Sequence, residues 1–478
     1  MLQNVKNAPK LKRLVGDRAF YARVIGIVVP LIVQNTVTNV VSLLDNVMVG
    51  RVGTLQMSAV AIVNQLLFVF NLCIFGGLAG AGIFATQFAG AEDHEGVRHC
   101  LRMKWIIAMV MLVVAHIMFA LIPEKLISMY LAEHTLPQDA ANTLAYGMDY
   151  LGVMLWGLVP FAITQIYAST LREVGETRLP MIASVVAILV NLVFNYLLIF
   201  GTFGFPRLGV VGAAIATVLS RYVETVIIVV YTHAMHARFP FIKGAYRSLH
   251  IPRALLRDIV WRGSPLLVNE FLWSSAMAVL LQCYSVRGLD VVAAANISST
   301  VSNLFNVVFI SMGNAVAIMV GQALGANKPH QAKDTAYKLI ALSVAICVIM
   351  GLFMIAVSPM IPQMYNTEEH VRHIATQMLR VVAVMMPVYA FAHCCFFTLR
   401  SGGRTMVTFL FDCVFTWVVS VPVAYLLGHH SQMDIVPLYF CVQALDIIKC
   451  VIGYILVSRG VWIHNIVAPV ALEEEDLS

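Results

Sequence analysis

Charged and apolar positions are distributed in long blocks along the chain. Nine blocks contain no Asp, Glu, Lys or Arg, and they cover 24–44, 52–91, 105–123, 150–171, 179–206, 291–327, 339–367, 381–399 and 413–433. A helix needs roughly 20 apolar residues to cross the hydrocarbon core of a bilayer, so the longer blocks hold two helix ends and a short polar joint. The blocks predict about twelve spans, at 24–47, 57–82, 104–122, 144–168, 179–200, 208–231, 259–284, 292–318, 336–357, 374–398, 405–428 and 435–457.

The composition of the chain excludes a soluble protein. Of the 478 residues, 60% are hydrophobic and 12% are charged, whereas soluble domains are about a quarter charged. The excess apolar surface must face lipid, so the predicted fold class is an all-α polytopic membrane protein. The formal net charge is +6. Most of its basic residues lie between the predicted spans, so no nucleic-acid partner is expected.

Basic residues are also uneven between the two sides of the predicted spans. Of 31 Lys and Arg, 23 lie in the terminal segments, in alternate connections or at the span ends beside them, and 5 lie in the opposite connections. Because basic residues accumulate in cytoplasmic loops, we expect both termini in the cytoplasm. The predicted location is the plasma (cell inner) membrane of a prokaryote. Residues 1–23 carry six Lys and Arg and no apolar core, which is not the pattern of a cleavable signal.

The longest polar connection lies in the middle of the chain, at 233–258. It separates the first six predicted spans from the last six. We therefore predict an N-terminal six-helix lobe at 1–232, a basic cytoplasmic linker at 233–258, a C-terminal six-helix lobe at 259–458 and a cytoplasmic tail at 459–478.

The two halves are related by an internal repeat with two constant offsets in residue number. The longer offset carries Pro30 onto Pro265 and, among others, Gln87 onto Gln322 and Gly90 onto Gly325. The shorter offset carries Leu171, Arg172, Gly175 and Thr177 onto Leu399, Arg400, Gly403 and Thr405, and Arg221 onto Lys449. An even number of spans per half gives both halves the same orientation. The repeat predicts two six-helix bundles related by a pseudo-twofold axis, with a substrate route between them.

Three acidic residues lie inside predicted spans without an opposite charge within one helical turn. They are Asp45, Glu270 and Asp412. An ionised side chain at mid-bilayer costs roughly 2.5–3.5 kcal/mol on insertion scales, so each is a candidate functional residue. A solitary carboxylate in such a place can exchange a proton near neutral pH or bind Na⁺. We predict ion coupling at all three residues. If the coupling ion is Na⁺ and not a proton, Asp45 is the predicted ligand.

Two other charged pairs are interpreted as structural. Asp446 and Lys449 are three residues apart, and so are Arg221 and Glu224. This spacing places both members on one helix face, where they can neutralise each other. We expect both pairs near the cytoplasmic ends of their spans.

Polar side chains near Asp45 could complete an ion site. Asn191 and Asn195 are four residues apart and share a helix face, and Thr217 could add a hydroxyl. Paired amides can also simply tie helices together in lipid. For the lining of a substrate cavity we predict Gln34, Asn35, Asn64, Tyr146 and Trp156.

Two prolines occupy matched places inside spans. Pro30 and Pro265 each remove a helix hydrogen bond, which predicts a kink. The kink could serve gating, because it frees carbonyl groups and makes the helix bendable, or it could be only a bend. Asn35 is the repeat partner of Glu270, which indicates polar use of the same helix face in both halves.

The motifs resemble a known transporter family. Asp45, Gly50 and Gly53 at the end of the first span resemble the first-helix signature of the multidrug and toxic compound extrusion (MATE) family. Further resemblance is carried by Gly321, Gln322, Gly325 and Ala326, echoed by Gln87, Gly90 and Ala91, and by Asn191 and Asn195 continuing to Gly212 and Thr217. The resemblance extends over essentially the whole chain.

The resemblance implies antiport, in which Na⁺ or protons enter while an organic, often cationic, compound leaves. Asp45 matches the family's first-lobe ion-binding acid, and Glu270 resembles the helix-seven acid of one branch. Asn195 stands where another branch has Asp, and the block at 381–399 contains no helix-ten acid. The second-lobe site is therefore expected to be built differently.

The predicted function is a cation-coupled antiporter that exports amphipathic, cationic drug-like compounds by alternating access. The partners expected are the organic substrate, a monovalent cation and membrane lipids, with no other cofactor and a monomeric protein. A lipid-linked-precursor flippase of the same superfamily is the alternative. An intramembrane enzyme is a weaker alternative, because the sequence shows no clustered ligands or nucleophile with its base, and the chain is not expected to be an enzyme.

Overall fold

A computed structural model describes the protein at residues 14–130, 137–365 and 367–468. The predicted basic residues at 6–13 and most of the predicted tail, from 469 onwards, lie outside the described residues. Everything that follows concerns the described part of the chain.

Twelve helices of the described residues are long and apolar enough to cross a membrane. Numbered in chain order, they are α1 Arg18–Gly50, α2 Thr54–Gly90, α3 His94–Leu121, α4 Pro137–Glu173, α5 Arg178–Phe200, α6 Val210–Ala234, α7 Arg253–Ser285, α8 Leu289–Gly325, α9 Pro329–Val357, α10 Glu369–Ser401, α11 Thr405–His430 and α12 Ile435–Arg459. Each coincides with a predicted span, so the all-α polytopic prediction is confirmed. A helix suits lipid because it satisfies its own backbone hydrogen bonds.

Three of these helices are not regular throughout. A 3₁₀ turn at Leu155–Gly157 interrupts α4, and a turn at Leu445, whose dihedral angles stay right-handed helical, divides α12. In α11, π turns at Leu410–Val414 and Thr416–Ser420 replace the α pattern. A π turn widens the helix locally and often occurs at functional sites. Asp412 lies in the first of them.

Helix ends follow local sequence rules. Pro137 and Pro329 open α4 and α9, because a proline at the first helical position loses no intrahelical bond. Gly201 and Gly460 follow α5 and α12 with φ of 71° and 69°, a left-handed conformation that glycine adopts without a Cβ clash. A short helix, Pro123–Ser128, follows α3.

Two compact units make up the described chain. The C-terminal unit contains residues 14–32, Thr86–Asp93 and 260–468, and the N-terminal unit contains Val33–Ala85 and the described residues of His94–Ile259. Residues 14–32 and 86–93 thus belong to the C-terminal unit, although they lie within the predicted N-terminal lobe. The predicted lobes, linker and tail, and the pseudo-twofold axis, stay predictions.

Backbone conformation reproduces the repeat at two pairs of turns. Glu92 after α2 and Asn327 after α8 are related by the longer offset and have φ of 61° and 55°. The two turns also share a backbone hydrogen bond: the N–H of Glu92 donates to the carbonyl of Ala89, and the N–H of Asn327 donates to the carbonyl of Leu324. At the shorter offset, Gly175 and Gly403 have φ of 92° and 73°. The sequence repeat is therefore also a repeat of local structure.

The core of the C-terminal unit is apolar and tightly packed. Met312 and Ala315 of α8, Leu339 of α9 and Cys394 of α10 are fully buried in one cluster. Inside a membrane such helices are held together by van der Waals packing, because lipid tails are as apolar as the side chains they replace. Pro30 and Pro265 lie inside α1 and α7, which continue past them as helices. The predicted kinks stay predictions.

Candidate functional site

Asp45 lies in a polar cluster of the N-terminal unit, formed with α5 and α6. Asn195 Nδ2 donates to Asp45 Oδ1 at 2.5 Å and to Asn191 Oδ1 at 3.1 Å. The side chain of Asn191 also lies 3.2 Å from Thr217 Oγ1. Asn191 and Asn195 are 5% and 1% exposed, and Asp45 is half-buried. The structure thus brings together the four residues predicted to form the first ion site.

The orientation of the Asn191 amide decides what Asp45 meets. When the amide is turned over, its nitrogen lies 3.0 Å from Asp45 Oδ1 and 3.3 Å from Oδ2, and its oxygen accepts from Thr217. One carboxylate then receives N–H groups from two amides, which stabilise its charged form. The same amide, turned by half a rotation, presents its oxygen to a proton or cation bound by the carboxylate, because an Asn side chain carries both an acceptor oxygen and a donor nitrogen.

A second polar chain runs through the same unit. Gln34 Nε2 donates to Ser184 Oγ at 2.7 Å, and Ser184 Oγ donates to the carboxylate of Glu224. Arg221 donates to the carbonyl of Gly157 at 3.1 Å. Glu224 and Arg221 thus make their direct bonds with other groups, so the predicted ion pair between them is not formed in the described structure. The spacing is compatible with a pair, but Ser184 of α5 provides a nearer partner.

The other predicted cavity residues have mixed surroundings. Tyr150 donates to Asn64 Oδ1 at 3.3 Å, and Asn35 and Tyr146 are half-buried. Trp156 is 72% exposed. The substrate-cavity role of these residues, like the ion-coupling role of the cluster at Asp45, stays a prediction.

In the C-terminal unit, Asp412 is not solitary. Lys449 Nζ lies 3.4 Å from Asp412 Oδ1 and 3.3 Å from Asp446 Oδ1, and it donates to Thr416 Oγ1 at 3.2 Å. One ammonium group therefore serves two carboxylates. The sequence prediction considered only charges within one helical turn, and Lys449 lies on the next helix. The predicted contact between Asp446 and Lys449 is formed.

Glu270 is half-buried on α7. The charged groups that act on it are Arg400 of α10 and Asp412. Its neighbour Asn269 is 3% exposed and donates to Asp412 Oδ2 at 3.3 Å. Glu270 and Asp412 are thus in one electrostatic neighbourhood, whereas Asp45 belongs to the other unit.

The two units contain equivalent hydrogen bonds, one in each unit, which the sequence analysis did not predict. Gln34 on α1 bonds Ser184 on α5, and Asn269 on α7 bonds Asp412 on α11. The longer offset of the repeat carries Gln34 onto Asn269, and the shorter offset carries Ser184 onto Asp412. A systematic comparison of polar positions at those two offsets would therefore have found the match.

The acidic residues are not arranged as a metal centre. In the ranges 14–130, 137–365 and 367–468, no three His, Cys, Asp or Glu side chains are grouped as ligands for a metal ion. The acidic residues described above instead meet amides, hydroxyls and basic groups.

A family model also matches the chain. The model named MatE matches residues 30–197 and 265–426. The two matched stretches begin at Pro30 and Pro265, the pair that defines the longer offset. Two matches of one model confirm that the chain contains an internal duplication.

Similar proteins come from bacteria. The probable multidrug resistance protein YoeA of Bacillus subtilis (strain 168) is 25% identical over 414 residues, which are 85% of this chain and 87% of that protein. The probable multidrug resistance protein NorM of Thermotoga maritima is 23% identical over 441 residues, 92% of each chain.

A solved structure shares the fold. It is the outward-facing conformation of a multidrug resistance MATE family transporter of the MOP superfamily, with a TM-score of 0.82 and 19% sequence identity. The match covers 95% of this chain and 99% of that chain. At this identity the likeness extends to the fold alone.

Proposed function

The chain belongs to the MATE family of multidrug efflux transporters, and we propose that it exports amphipathic, cationic organic compounds in exchange for Na⁺ or H⁺. The protein is a multi-pass membrane protein. We place it in the cell inner membrane as a monomer, with its basic connections in the cytoplasm. The coupling ion is transported and is not a resident cofactor.

The observation that carries the proposal is the bond between Asp45 and Asn195. A carboxylate inside a spanning helix is energetically costly, and such residues therefore mark functional sites. Asp45 has amide partners at 2.5–3.3 Å and no ion pair among the described residues. Amides stabilise the carboxylate without neutralising it. The group therefore keeps the capacity to take up a proton or a sodium ion.

Binding of the cation would change the balance of conformations. A ligand shifts a conformational equilibrium only by its different affinity for the two states. Cation binding at Asp45 removes the net charge and replaces N–H donors by oxygen acceptors around it. The side chains of Asn191 and Asn195 would have to turn, and α1 and α5 would have to repack. This is the step at which we couple ion entry to export.

Transport by the purified protein in liposomes tests the proposal. A fluorescent organic cation should move when a sodium gradient or a pH gradient is imposed, each alone, and the effective gradient identifies the ion. Asp45→Asn should abolish ion-driven movement while the protein still inserts and keeps its thermal stability. Unchanged export by Asp45→Asn would remove this residue from the coupling mechanism.

The same liposomes separate the alternative functions. Flipping of a lipid-linked precursor, with no movement of organic cations, would favour a flippase. A chemically altered substrate would favour an intramembrane enzyme. Glu270→Gln tests the C-terminal unit in the same assay, and a loss of transport there would place a second coupling residue on α7.

A further inference from the structure

The connection between α6 and α7 is held firmly against α3. Arg102 donates to the carbonyls of His250 at 2.9 Å, Ala245 at 3.0 Å and Gly244 at 3.1 Å. Arg98 Nε donates to the carbonyl of Phe241 at 3.3 Å. Phe241 is also buried, at 2% exposed. The segment 239–251 is therefore a fixed part of the N-terminal unit.

This fixed segment forms a basic cavity with the start of α3. Arg98, Lys243, Gly244 and Arg247 line a space of about 570 Å³. Arg98 is 3.5 Å from Glu95, while Lys243 and Arg247 form no ion pair within the described residues. Two positive charges are thus left for a ligand, with a third guanidinium beside them. A preformed cavity of this kind selects an anion that can accept several N–H donors, and a phosphate group fits that requirement.

The residue order along α3 indicates that the cavity lies beyond the apolar part of this helix, on the side of the lipid headgroups. The apolar face of α3 begins at Ile106 and continues through Met109 and Val110, which are 37%, 48% and 59% exposed. Arg98 precedes Ile106 by eight residues, which is about 12 Å along a helix axis. Long basic side chains reach toward the interface from such positions.

Aromatic residues mark the same level. Trp105 Nε1 donates to the hydroxyl of Tyr246 at 3.1 Å, and Trp and Tyr are enriched where headgroups meet the apolar core. In the segment itself, Tyr246 and Leu249 are 52% and 68% exposed. These exposed side chains therefore lie one and two residues in the chain from Arg247, which lines the cavity.

We infer that the cavity of Arg98, Lys243 and Arg247 binds the phosphate headgroup of an anionic phospholipid. The basic lining matches the phosphate, and the exposed Tyr246, Leu249 and α3 face match the glycerol and acyl chains. A soluble phosphate would use the lining but would gain nothing from the neighbouring exposed apolar side chains. The bound lipid would bridge Arg98 of α3 to Lys243 and Arg247, and so hold the connection against the helix.

Lipid binding by the full-length protein in detergent micelles tests this inference. Dioleoyl phosphatidylglycerol or dioleoyl phosphatidylcholine is added, and native mass spectrometry counts bound lipids while thermal unfolding records stabilisation. The double variant Lys243→Gln/Arg247→Gln should bind phosphatidylglycerol about thirtyfold more weakly, because each basic residue contributes roughly 1 kcal/mol to binding anionic lipid. Both side chains are exposed, so the variant should fold normally.

A matched control removes the same charge elsewhere. Arg253→Gln/Arg257→Gln also neutralises two exposed basic residues, at the start of α7, and should keep phosphatidylglycerol binding within about twofold. The inference is overturned if both double variants behave alike, or if phosphatidylcholine binds as well as phosphatidylglycerol. Displacement of the lipid by millimolar inorganic phosphate would show that the cavity recognises free phosphate instead.

Discussion

Gly90 at the end of α2 lies directly against the main chain of Gln322 in α8, and Gly325 lies in the same way against Gln87. The two contacts are reciprocal, and their residues are related by the longer offset of the repeat. A Cβ at either glycine would overlap a carbonyl group of the facing helix. The Gln87 side chain also donates to Ser401 O at 2.8 Å and accepts from Ile466 N at 2.9 Å. These helix ends approach closely because both glycines lack a side chain.

Gly325→Ala should therefore destabilise the protein, although alanine usually favours a helix. The added methyl group would overlap the backbone of Gln87, which cannot move aside as a flexible side chain could. Overpacking of this kind typically costs about 1–3 kcal/mol. Gly152→Ala in α4 is the control, since a Cβ there meets nothing within 4 Å. Thermal unfolding in detergent should show a lower midpoint for Gly325→Ala and an unchanged or higher midpoint for Gly152→Ala. Equal midpoints would contradict the close approach.

Lys104 should be essential for stability. Its ammonium group is fully buried and lies 2.5 Å from Glu173 Oε2, with Ser169 and Thr170 as further acceptors. Lys104→Met removes the buried ammonium group from its pair with the mostly buried Glu173, and breaking a buried pair in this way typically costs about 3–5 kcal/mol. The free energy of unfolding, measured with a denaturant, should fall by that order.

An exposed ion pair provides the comparison for Lys104. Lys338 lies 2.6 Å from Asp334, whose side chain is 51% exposed. Lys338→Met should cost less than about 1 kcal/mol, because water and salt screen the pair. Similar losses in the two variants would mean that burial of Lys104 has no energetic importance.

Asn195→Ala should weaken ion-driven transport. It removes the donor that bonds Asp45 and the bond to Asn191, and a hydrogen bond to a charged group contributes about 1.5–3 kcal/mol. Because this donor stabilises the cation-free carboxylate, we expect Asp45 to hold the coupling cation roughly tenfold or more tightly in the variant, and slower release of the cation weakens transport. Asn64→Ala removes an amide that is exposed and bonded to Tyr150 at 3.3 Å, and it should leave the ion dependence unchanged. An unaltered ion dependence in Asn195→Ala would argue against a role for this amide.

His464 should make stability depend on pH. Partial burial, with the nearby charges of Arg262 and Arg404, lowers the pKa of this histidine from its ordinary value of 6.5. The folded protein thus binds the proton less readily than the unfolded chain does. This contribution to stability is present above pH 6.5 and is lost as the pH falls. The unfolding midpoint of His464→Gln should decrease less between pH 7.5 and 5.5 than that of the unaltered protein, and parallel curves would contradict the assignment.

The sequence predicts the spans well because lipid imposes one strong constraint. Every predicted span falls on a helix, yet the helices extend further, as at Pro137–Glu173, where the sequence predicts only 144–168. Apolarity ends at the edge of the hydrocarbon core, whereas hydrogen bonding continues the helix into the polar region. The π turns of α11 were not predictable, since no sequence pattern in that segment distinguishes them.

The candidate sites were predictable only in part. Asn191 and Asn195 follow from their spacing on one helix, and Asp45 follows from its charge inside a span. The pair of Asp412 with Lys449 could not be predicted, because its members lie on different helices and meet only after α11 and α12 pack together. Ser184 carried no charge to draw notice, although it accepts from Gln34 and donates to Glu224.

The left-handed turns at Glu92 and Asn327 bear on how a duplicated gene diverges. Both halves have the same left-handed turn, although the first half has Glu92 at this position and the second half has Asn327. Asparagine adopts this conformation more readily. At this turn the backbone dihedral angles therefore record the common ancestry of the two halves, although the residue types no longer do.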